Sequence, residues 1–247
     1  MRSEIVIFRG PSISIKEAKN YLSNAIYLPP AMQGDMYKAY KKYNPKIIGL
    51  IDGNFERIPS PWHKEILYLL SQNIKIFGAA SMGALRAAEL DSFGMIGVGD
   101  IYNDYTNNLI EDDDEVAILH SPQELDYRPL SDAMVDIRRT LEKAKNDNII
   151  SEKLKIELIL FYKNCFYKER FYGTGIHHFE NDYRDEITAL KKWLSFNKIE
   201  QKKEDAISLL KAIKRNQHNK KNKFKFENTI YWHNLKVTID EQLSQSI

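Results

Sequence analysis

Three short apolar segments near the start of the chain constrain its fold more than any other feature. They lie at residues 4–8, 46–51 and 74–77, and Ile, Val, Leu and Phe dominate them without a clean alternation of polar and apolar residues. Such continuous runs are typical of strands that are covered on both faces of a sheet. Helical patterns at residues 14–24 and 61–72 separate them. This alternation predicts an α/β fold with a parallel sheet, flanking helices and right-handed crossovers.

Each predicted strand is followed by a turn of small or polar residues. The turns are Arg9-Gly10-Pro11-Ser12, Asp52-Gly53-Asn54-Phe55 and Ala79-Ala80-Ser81-Met82-Gly83. Parallel strands end at the same edge of a sheet, and open sheets of this Rossmann-like kind bind ligands at that edge. We therefore expect the three turns to form one crevice.

Ser81 is the strongest candidate for a reactive group in this crevice. It lies among small residues at a strand-to-helix turn, where the first N–H groups of the helix point toward the same place. A serine hydroxyl beside such donors suits acyl transfer, with the Met82 or Gly83 N–H as the oxyanion site. The hydroxyl needs a base. Lys64 is a candidate if its amine is desolvated, and an ordinary surface lysine is the alternative.

Other polar residues near the predicted crevice have both a functional and a structural interpretation. Asp52 is placed to hold a metal, a ribose or a catalytic cation, or only to form an Asp-Gly turn with Gly53. Arg86 is placed to bind a carboxylate or phosphate, or to pair with Glu89 or Asp91. Ser12 is a second candidate nucleophile.

Charge and motif content argue against several classes of function. The chain has 36 Lys and Arg against 34 Asp and Glu, with a basic excess at residues 211–225. In the absence of a nucleic-acid motif, we interpret that stretch as a solvated helix end and loop. The acidic run at 112–115 lacks EF-hand spacing, which favours a solvated turn over a metal site. No glycine-rich nucleotide-binding motif occurs. No cofactor or metal is predicted.

The location and domain organisation are also predicted from the sequence. The single cysteine, Cys165, excludes an internal disulfide. No run is long and apolar enough for a membrane span, and the first residues indicate a strand rather than a signal peptide, so a cytoplasmic protein is expected. Because the patterns beyond residue 150 are helical, we place a boundary between an α/β core at 1–147 and a helical, basic region at 148–247.

Several of these motifs, in the same order, resemble those of TfuA-like proteins. They span about residues 4–145 and include Gly10-Pro11-Ser12, Pro29-Pro30-Ala31, Ile51-Asp52-Gly53, His63-Lys64-Glu65-Ile66-Leu67, the segment 78–90, Gly94-Met95 and Asp113-Asp114-Glu115-Val116-Ala117. The resemblance implies a role in backbone thioamidation of ribosomally made peptides or proteins, beside an ATP-dependent YcaO-type enzyme. It also implies hydrolysis of the C-terminal thiocarboxylate of a ThiS-like sulfur carrier, which releases sulfide.

The resemblance further implies a serine-hydrolase-like Ser–Lys pair, which corresponds here to Ser81 and Lys64. The residues expected to bind the substrate are Gly10, Ser12, Asp52, Gly53, Met82, Gly83 and Arg86. The glycines are expected to leave a narrow slot for the carrier's flexible tail. Two alternatives stay open. One is a non-catalytic adaptor that recruits substrate or carrier to the YcaO-type enzyme, and the other is a small-molecule hydrolase unrelated to sulfur transfer.

Overall fold

The computed structural model describes residues 4–54, 58–215 and 224–245 of the 247-residue chain. The contacts divide the chain into two compact units. The first, which we call the α/β unit, comprises the described residues of Met1–Ile110 and Lys203–Ile247; the second, the helical unit, is Glu111–Lys202. The domain limits predicted from the sequence, 1–147 and 148–247, stay a prediction about which segments fold on their own.

The α/β unit contains a five-stranded parallel sheet. Its strands are β1 (Ile5–Phe8), β2 (Ile26–Leu28), β3 (Ile47–Leu50), β4 (Lys75–Gly78) and β5 (Ile96–Gly97), in the spatial order β2-β1-β3-β4-β5. The predicted α/β class is confirmed. In this order the chain reverses its direction of winding between β1 and β3, and doubly wound sheets bind ligands at that position.

Helices cover both faces of the sheet. The helices of the described chain, in order, are α1 (Ile15–Tyr21), α2 (Asp35–Tyr43), α3 (His63–Ser71), α4 (Met82–Leu90), α5 (Asp100–Thr106), α6 (Met134–Asn146), α7 (Glu152–Asn164), α8 (Tyr172–Phe179), α9 (Arg184–Asn197), α10 (Gln201–Arg215) and α11 (Ile230–Ser244), of which α6 to α9 belong to the helical unit. Successive strand residues point to opposite faces. Val6 and Phe8 therefore pack with α2, α3 and α4, whereas Ile7 packs with α1 and α10.

The two C-terminal helices of the α/β unit are part of its core. Leu209 and Ile213 of α10 are buried against the sheet, and Gly49 in β3 makes room for them. Burial of each such side chain stabilises the fold by about 1.5–3 kcal/mol. On the other face, Trp232 of α11 is fully buried, with its ring 5.6 Å from that of Tyr37 in α2. The sheet is therefore completed by residues far along the chain.

The helical unit has a core of its own. Buried Leu, Ile and Tyr side chains of α6, α7, α8 and α9 form one hydrophobic cluster, to which Leu141, Leu158, Ile176 and Leu190 belong. Across the described ranges of the chain, none of the helices combines the length and the apolar character that crossing a bilayer requires.

Candidate functional site at the sheet edge

The three turns predicted to meet do lie at one edge of the sheet, joined by hydrogen bonds. Ala79 N–H donates to the Leu50 carbonyl at 3.2 Å, and Gly83 N–H donates to the Ile51 carbonyl at 3.2 Å, which joins the turn after β4 to the end of β3. The turn after β1 is bound to the side chain that follows β3. The buried Arg9, only 7% exposed, adds a positive charge at the end of β1.

Asp52 holds the turn after β1. One carboxylate oxygen accepts the Gly10 N–H at 2.8 Å and the Ser12 N–H at 3.2 Å, while the other accepts the Ser12 hydroxyl at 2.6 Å. Asp52 is 1% exposed. Both of its oxygens are thus engaged in fixing the backbone at the β1/β3 reversal point, and the Ser12 hydroxyl donates to a carboxylate.

Ser81 lies on a strained turn. The preceding Ala80 has φ 68°, a left-handed value that costs a non-glycine residue about 1–3 kcal/mol. Ser81 N–H donates to the Ala79 carbonyl at 2.9 Å, which closes a three-residue γ-turn. Ser81 then begins α4, and its carbonyl accepts the Ala84 N–H. Backbone strain next to a polar residue is typical of a functional position, but Ser81 itself is only 2% exposed.

Gly83 brings α4 into direct contact with β3. A Cβ atom at this position would overlap the carbonyl oxygen of Leu50, so only glycine fits there. The Gly83 N–H donates to the Ile51 carbonyl at 3.2 Å. The sequence predicted the N–H of Met82 or of Gly83 as the oxyanion donor. Because the Gly83 N–H already donates to Ile51, we keep the Met82 N–H as the candidate.

The other glycines at this edge also face protein atoms. A Cβ on Gly10 would meet the ring of Pro30, and one on Gly53 would lie 2.8 Å from Met82 Cγ. A Cβ on Gly78 would overlap the Gly83 carbonyl oxygen. These glycines therefore allow the turns and helices to pack closely. Their missing side chains do not by themselves open the predicted slot.

In the described part of the chain, the Lys64 amine contacts residues 226 and 227. Lys64 lies in the first turn of α3, and its Nζ donates to the Glu227 carbonyl at 3.0 Å. The same Nζ lies 5.4 Å from the centroid of the Phe226 ring. The sequence did not indicate these partners, because they are more than 160 positions further along the chain.

Arg86 has the structural role that was one of its two predicted interpretations. Its guanidinium donates to the Pro61 carbonyl at 2.9 Å, to the Ser60 hydroxyl at 2.9 Å and to Glu89 at 2.7 Å. His63 Nε2 lies 2.8 Å from the same Glu89 carboxylate. Burial opposes ionisation of Glu89, but the contacts with His63 and Arg86 outweigh it and lower its pKa. The network fastens α4 to the residues in front of α3.

Glu65 is an important residue that the site prediction missed. It is fully buried in α3, and its carboxylate accepts the Gly34 N–H at 2.9 Å and the Tyr37 N–H at 2.8 Å. It thereby caps the start of α2 from a neighbouring helix. Burial raises the pKa of Glu65 to about 7, although the backbone donors oppose the shift. The available sequence signal was an acid beside Ile66 on the apolar side of the predicted helix.

Asp205 caps the start of α5, as Glu65 caps the start of α2. Its two carboxylate oxygens accept the Asp100 N–H at 3.1 Å and the Ile101 N–H at 2.8 Å. Gly99, with φ 96°, approaches so closely that a Cβ would lie 2.6 Å from Asp205 Oδ1. Nothing local in the sequence indicates this pairing, because the cap comes from α10.

In the helical unit, the acidic run takes part in an ion-pair cluster; Asp112 and Asp113 are exposed, as a solvated turn requires, but the prediction is wrong for the buried Glu115. Glu115 is 2% exposed and accepts two hydrogen bonds of 2.9 Å from Arg138. Lys163 pairs with Asp112, Asp114 and Glu115. Within the part of the chain that the structure describes, no group of three or more His, Cys, Asp or Glu side chains is arranged to hold a metal ion. Most of the predicted basic stretch, residues 216–223, lies outside the described residues.

The fold and the sheet edge define a doubly wound α/β protein with a strained serine turn beside its winding reversal point. Within that class, residues 52–171 match the family model of TfuA-like proteins. The resemblance found in the sequence is confirmed, and this segment is a TfuA-like region. The match contains Asp52, Lys64, Ser81 and the acidic run; it omits the motifs before residue 52 and extends beyond residue 145. A search of curated proteins found no match.

Proposed function

We propose that this protein works beside a YcaO-type enzyme in peptide-backbone thioamidation, and that it hydrolyses the C-terminal thiocarboxylate of a ThiS-like carrier. The TfuA-like match over residues 52–171 is the observation that supports this role. The matched segment includes the strained turn at Ser81, the position in this fold where a reactive hydroxyl is best prepared.

The proposed reaction has two acyl-transfer steps. The Ser81 oxygen attacks the thiocarboxylate carbon, the carbon–sulfur bond breaks, and the serine proton leaves with the sulfur as hydrosulfide. Water then hydrolyses the ester, which returns the carrier carboxylate, a proton and the free serine. The Met82 N–H at the start of α4 is our candidate oxyanion donor, and such a donor contributes about 3–4 kcal/mol to the barrier reduction.

The mechanism needs a group that accepts the serine proton, and bringing the Lys64 amine into that role requires it to move. For Lys64 to act as the base, its amine must leave the Glu227 carbonyl and the Phe226 ring. The burial of Ser81 likewise requires the sheet edge to open when the carrier tail binds.

The same two observations favour a second candidate function, that of a non-catalytic adaptor. A buried Ser81 and a Lys64 engaged elsewhere would both suit residues that stabilise a binding surface. In that case the sheet edge would present the carrier or the peptide to the YcaO-type enzyme without breaking a bond.

Sulfide release separates the two candidates. The full-length protein is mixed with a carrier that bears a C-terminal thiocarboxylate, and free sulfide is measured with time. If Ser81 is the nucleophile, Ser81→Ala should lower the rate by at least about 100-fold, the scale expected when a covalent nucleophile is lost. Lys64→Met should lower it comparably, and Ser12→Ala tests the second candidate nucleophile.

Matched controls make the result interpretable. Ser195→Ala and Lys192→Met remove the same functional groups from exposed positions of α9 and should leave the rate unchanged. If Ser81→Ala retains both its melting temperature and the wild-type rate of sulfide release, hydrolysis at Ser81 is rejected. Retained thioamidation by a YcaO-type enzyme with no sulfide release from any form would establish the adaptor.

A further inference from the structure

The segment Phe224–Thr229, which we call the strap, connects the end of the undescribed stretch to α11. It belongs to no helix or strand, and its first four side chains alternate between half-buried and exposed. Phe224 and Phe226 are the half-buried pair, and Lys225 and Glu227 are exposed. Side chains two positions apart in an extended chain point the same way, so both aromatic rings face the α/β unit.

Three aromatic contacts and one helix cap hold the strap in place, and one of these contacts joins the Phe226 ring to that of Trp232 in α11 at 6.5 Å. The Phe224 ring lies 5.6 Å from that of Phe93, edge to face. The Phe226 ring lies 5.6 Å from that of Tyr68 in α3. At its far end the Thr229 hydroxyl accepts the Trp232 N–H at 3.4 Å and begins α11.

The strap lies directly over Lys64. Lys64 and Tyr68 are four positions apart in α3 and therefore share one face of that helix. The Phe226 ring contacts both of them, and the next residue, Glu227, supplies the carbonyl that accepts the Lys64 amine. All the described contacts of this amine are thus made with two consecutive residues of the strap.

The attachment of the strap differs in kind from that of the helix behind it. α11 is fixed by Trp232 and Ile239, which are 0% and 2% exposed. The strap relies on half-buried rings and a hydrogen bond at the surface. Segments with few buried contacts and solvent-exposed hydrogen bonds open locally at a lower free energy than the core.

We propose that the strap is a removable cover on Lys64, which holds the amine away from the sheet edge when closed and releases it when lifted. This inference rests on the proposed function, since only a Ser–Lys mechanism gives the released amine a task. In the closed state the Lys64 ammonium is engaged by Phe226 and Glu227. Lifting the strap removes both contacts at once.

The reactivity of the Lys64 amine tests this cover without reference to catalysis. Full-length protein is treated briefly with acetic anhydride, and acetylation of each lysine is followed by peptide mass spectrometry, with exposed Lys192 as the internal reference. Phe226→Ala should raise the acetylation rate of Lys64 by about three- to fivefold, the change expected when a cation–π contact is lost. Phe196→Ala removes an aromatic ring that is 91% exposed and should change nothing.

Phe226→Leu guards against loss of the fold. It keeps an apolar side chain against Tyr68 but removes the ring that contacts the Lys64 amine, so it should still raise the acetylation rate of Lys64. If a Phe224→Ala/Phe226→Ala double variant melts cooperatively but acetylates Lys64 at the wild-type rate, the cover is refuted. Faster acetylation with no measurable sulfide release in any form would support the cover and reject the proposed hydrolysis. Normal sulfide release with unchanged acetylation would do the reverse.

Discussion

The sheet edge of the α/β unit and the acidic run of the helical unit use buried carboxylates in different ways. At the sheet edge and the adjacent helix starts, Asp52, Glu65 and Asp205 accept hydrogen bonds from backbone N–H groups. In the acidic run, Asp114 and Glu115 accept from the cationic side chains of Arg170, Arg138 and Lys163. The first arrangement fixes turns and helix starts, whereas the second fastens helices to one another.

This difference appears in the acid–base behaviour of the two regions. Glu65 has only neutral donors, so burial prevails and raises its pKa to about 7. Burial also opposes ionisation of Asp114, but the hydrogen bonds from Lys163 and Arg170 outweigh it and lower the pKa. Glu65 is therefore easily protonated near neutral pH, whereas Asp114 stays ionised.

We expect Gly83→Ala to cause the largest loss of unfolding free energy, because it disrupts the backbone packing of the sheet edge. The new methyl group would overlap the Leu50 carbonyl, and neither α4 nor β3 can move without breaking the sheet. We expect a loss of about 5 kcal/mol or more, enough to leave the variant largely unfolded. Urea denaturation followed by circular dichroism measures it.

Gly173→Ala is the matched control in the helical unit. A Cβ at Gly173 meets nothing within 4 Å, and the residue lies in α8, so the variant should gain up to about 1 kcal/mol from helix propensity. A Gly83→Ala protein as stable as the wild type would show that the sheet edge is not held by close backbone approach.

Arg170→Met tests the acidic run in the helical unit. Arg170 is fully buried and donates to the Tyr162 carbonyl at 3.0 Å, to the Cys165 carbonyl at 3.2 Å and to the Asp114 carboxylate at 2.8 Å. Its removal leaves these acceptors unsatisfied and should cost about 3–4 kcal/mol of unfolding free energy.

The exposed Lys192→Met should change the unfolding free energy by less than about 0.5 kcal/mol. Equal stability of the two variants would mean that the acidic run does not fasten the helical unit, and the contrast with the sheet edge would be lost.

Much of the sheet and its edge could be predicted from the sequence, because local patterns determine them. The apolar runs indicated β1, β3 and β4, and the turns after them meet as expected. The strands β2 and β5 were missed, because they have only three and two residues and are partly buried at the edges of the sheet. Runs that short carry no distinctive periodicity.

The partners of the candidate site residues could not be predicted, because they depend on distant parts of the chain. Lys64 is bound by Glu227, and the start of α5 is capped by Asp205, more than 100 positions away. The cations of the acidic run come from α6, α7 and residue 170. A run of charged residues gives no information on partners that are distant in the sequence. A run that forms buried ion pairs therefore cannot be distinguished from a solvated one by sequence alone.

The pH dependence of stability in Glu65→Gln tests the contrast between carboxylates that accept from backbone N–H groups and those that accept from cationic side chains. The pKa of Glu65 is about 7 in the folded protein, against an ordinary value of 4.5 for a glutamate, so the folded state binds an extra proton between these pH values. The Glu65 contribution to stability is therefore present at about pH 4.5 and is lost as the pH rises toward 7, by at most about 3 kcal/mol. Asp114 acts with the opposite sign and at lower pH, since its lowered pKa makes its contribution to stability disappear on acidification.

Denaturation measured at several pH values between 5 and 8 should show the decline in stability in the wild type and in the exposed-site control Glu111→Gln, but not in Glu65→Gln. Identical pH profiles for Glu65→Gln and the wild type would mean that neutral backbone donors stabilise a buried carboxylate as well as arginine and lysine do.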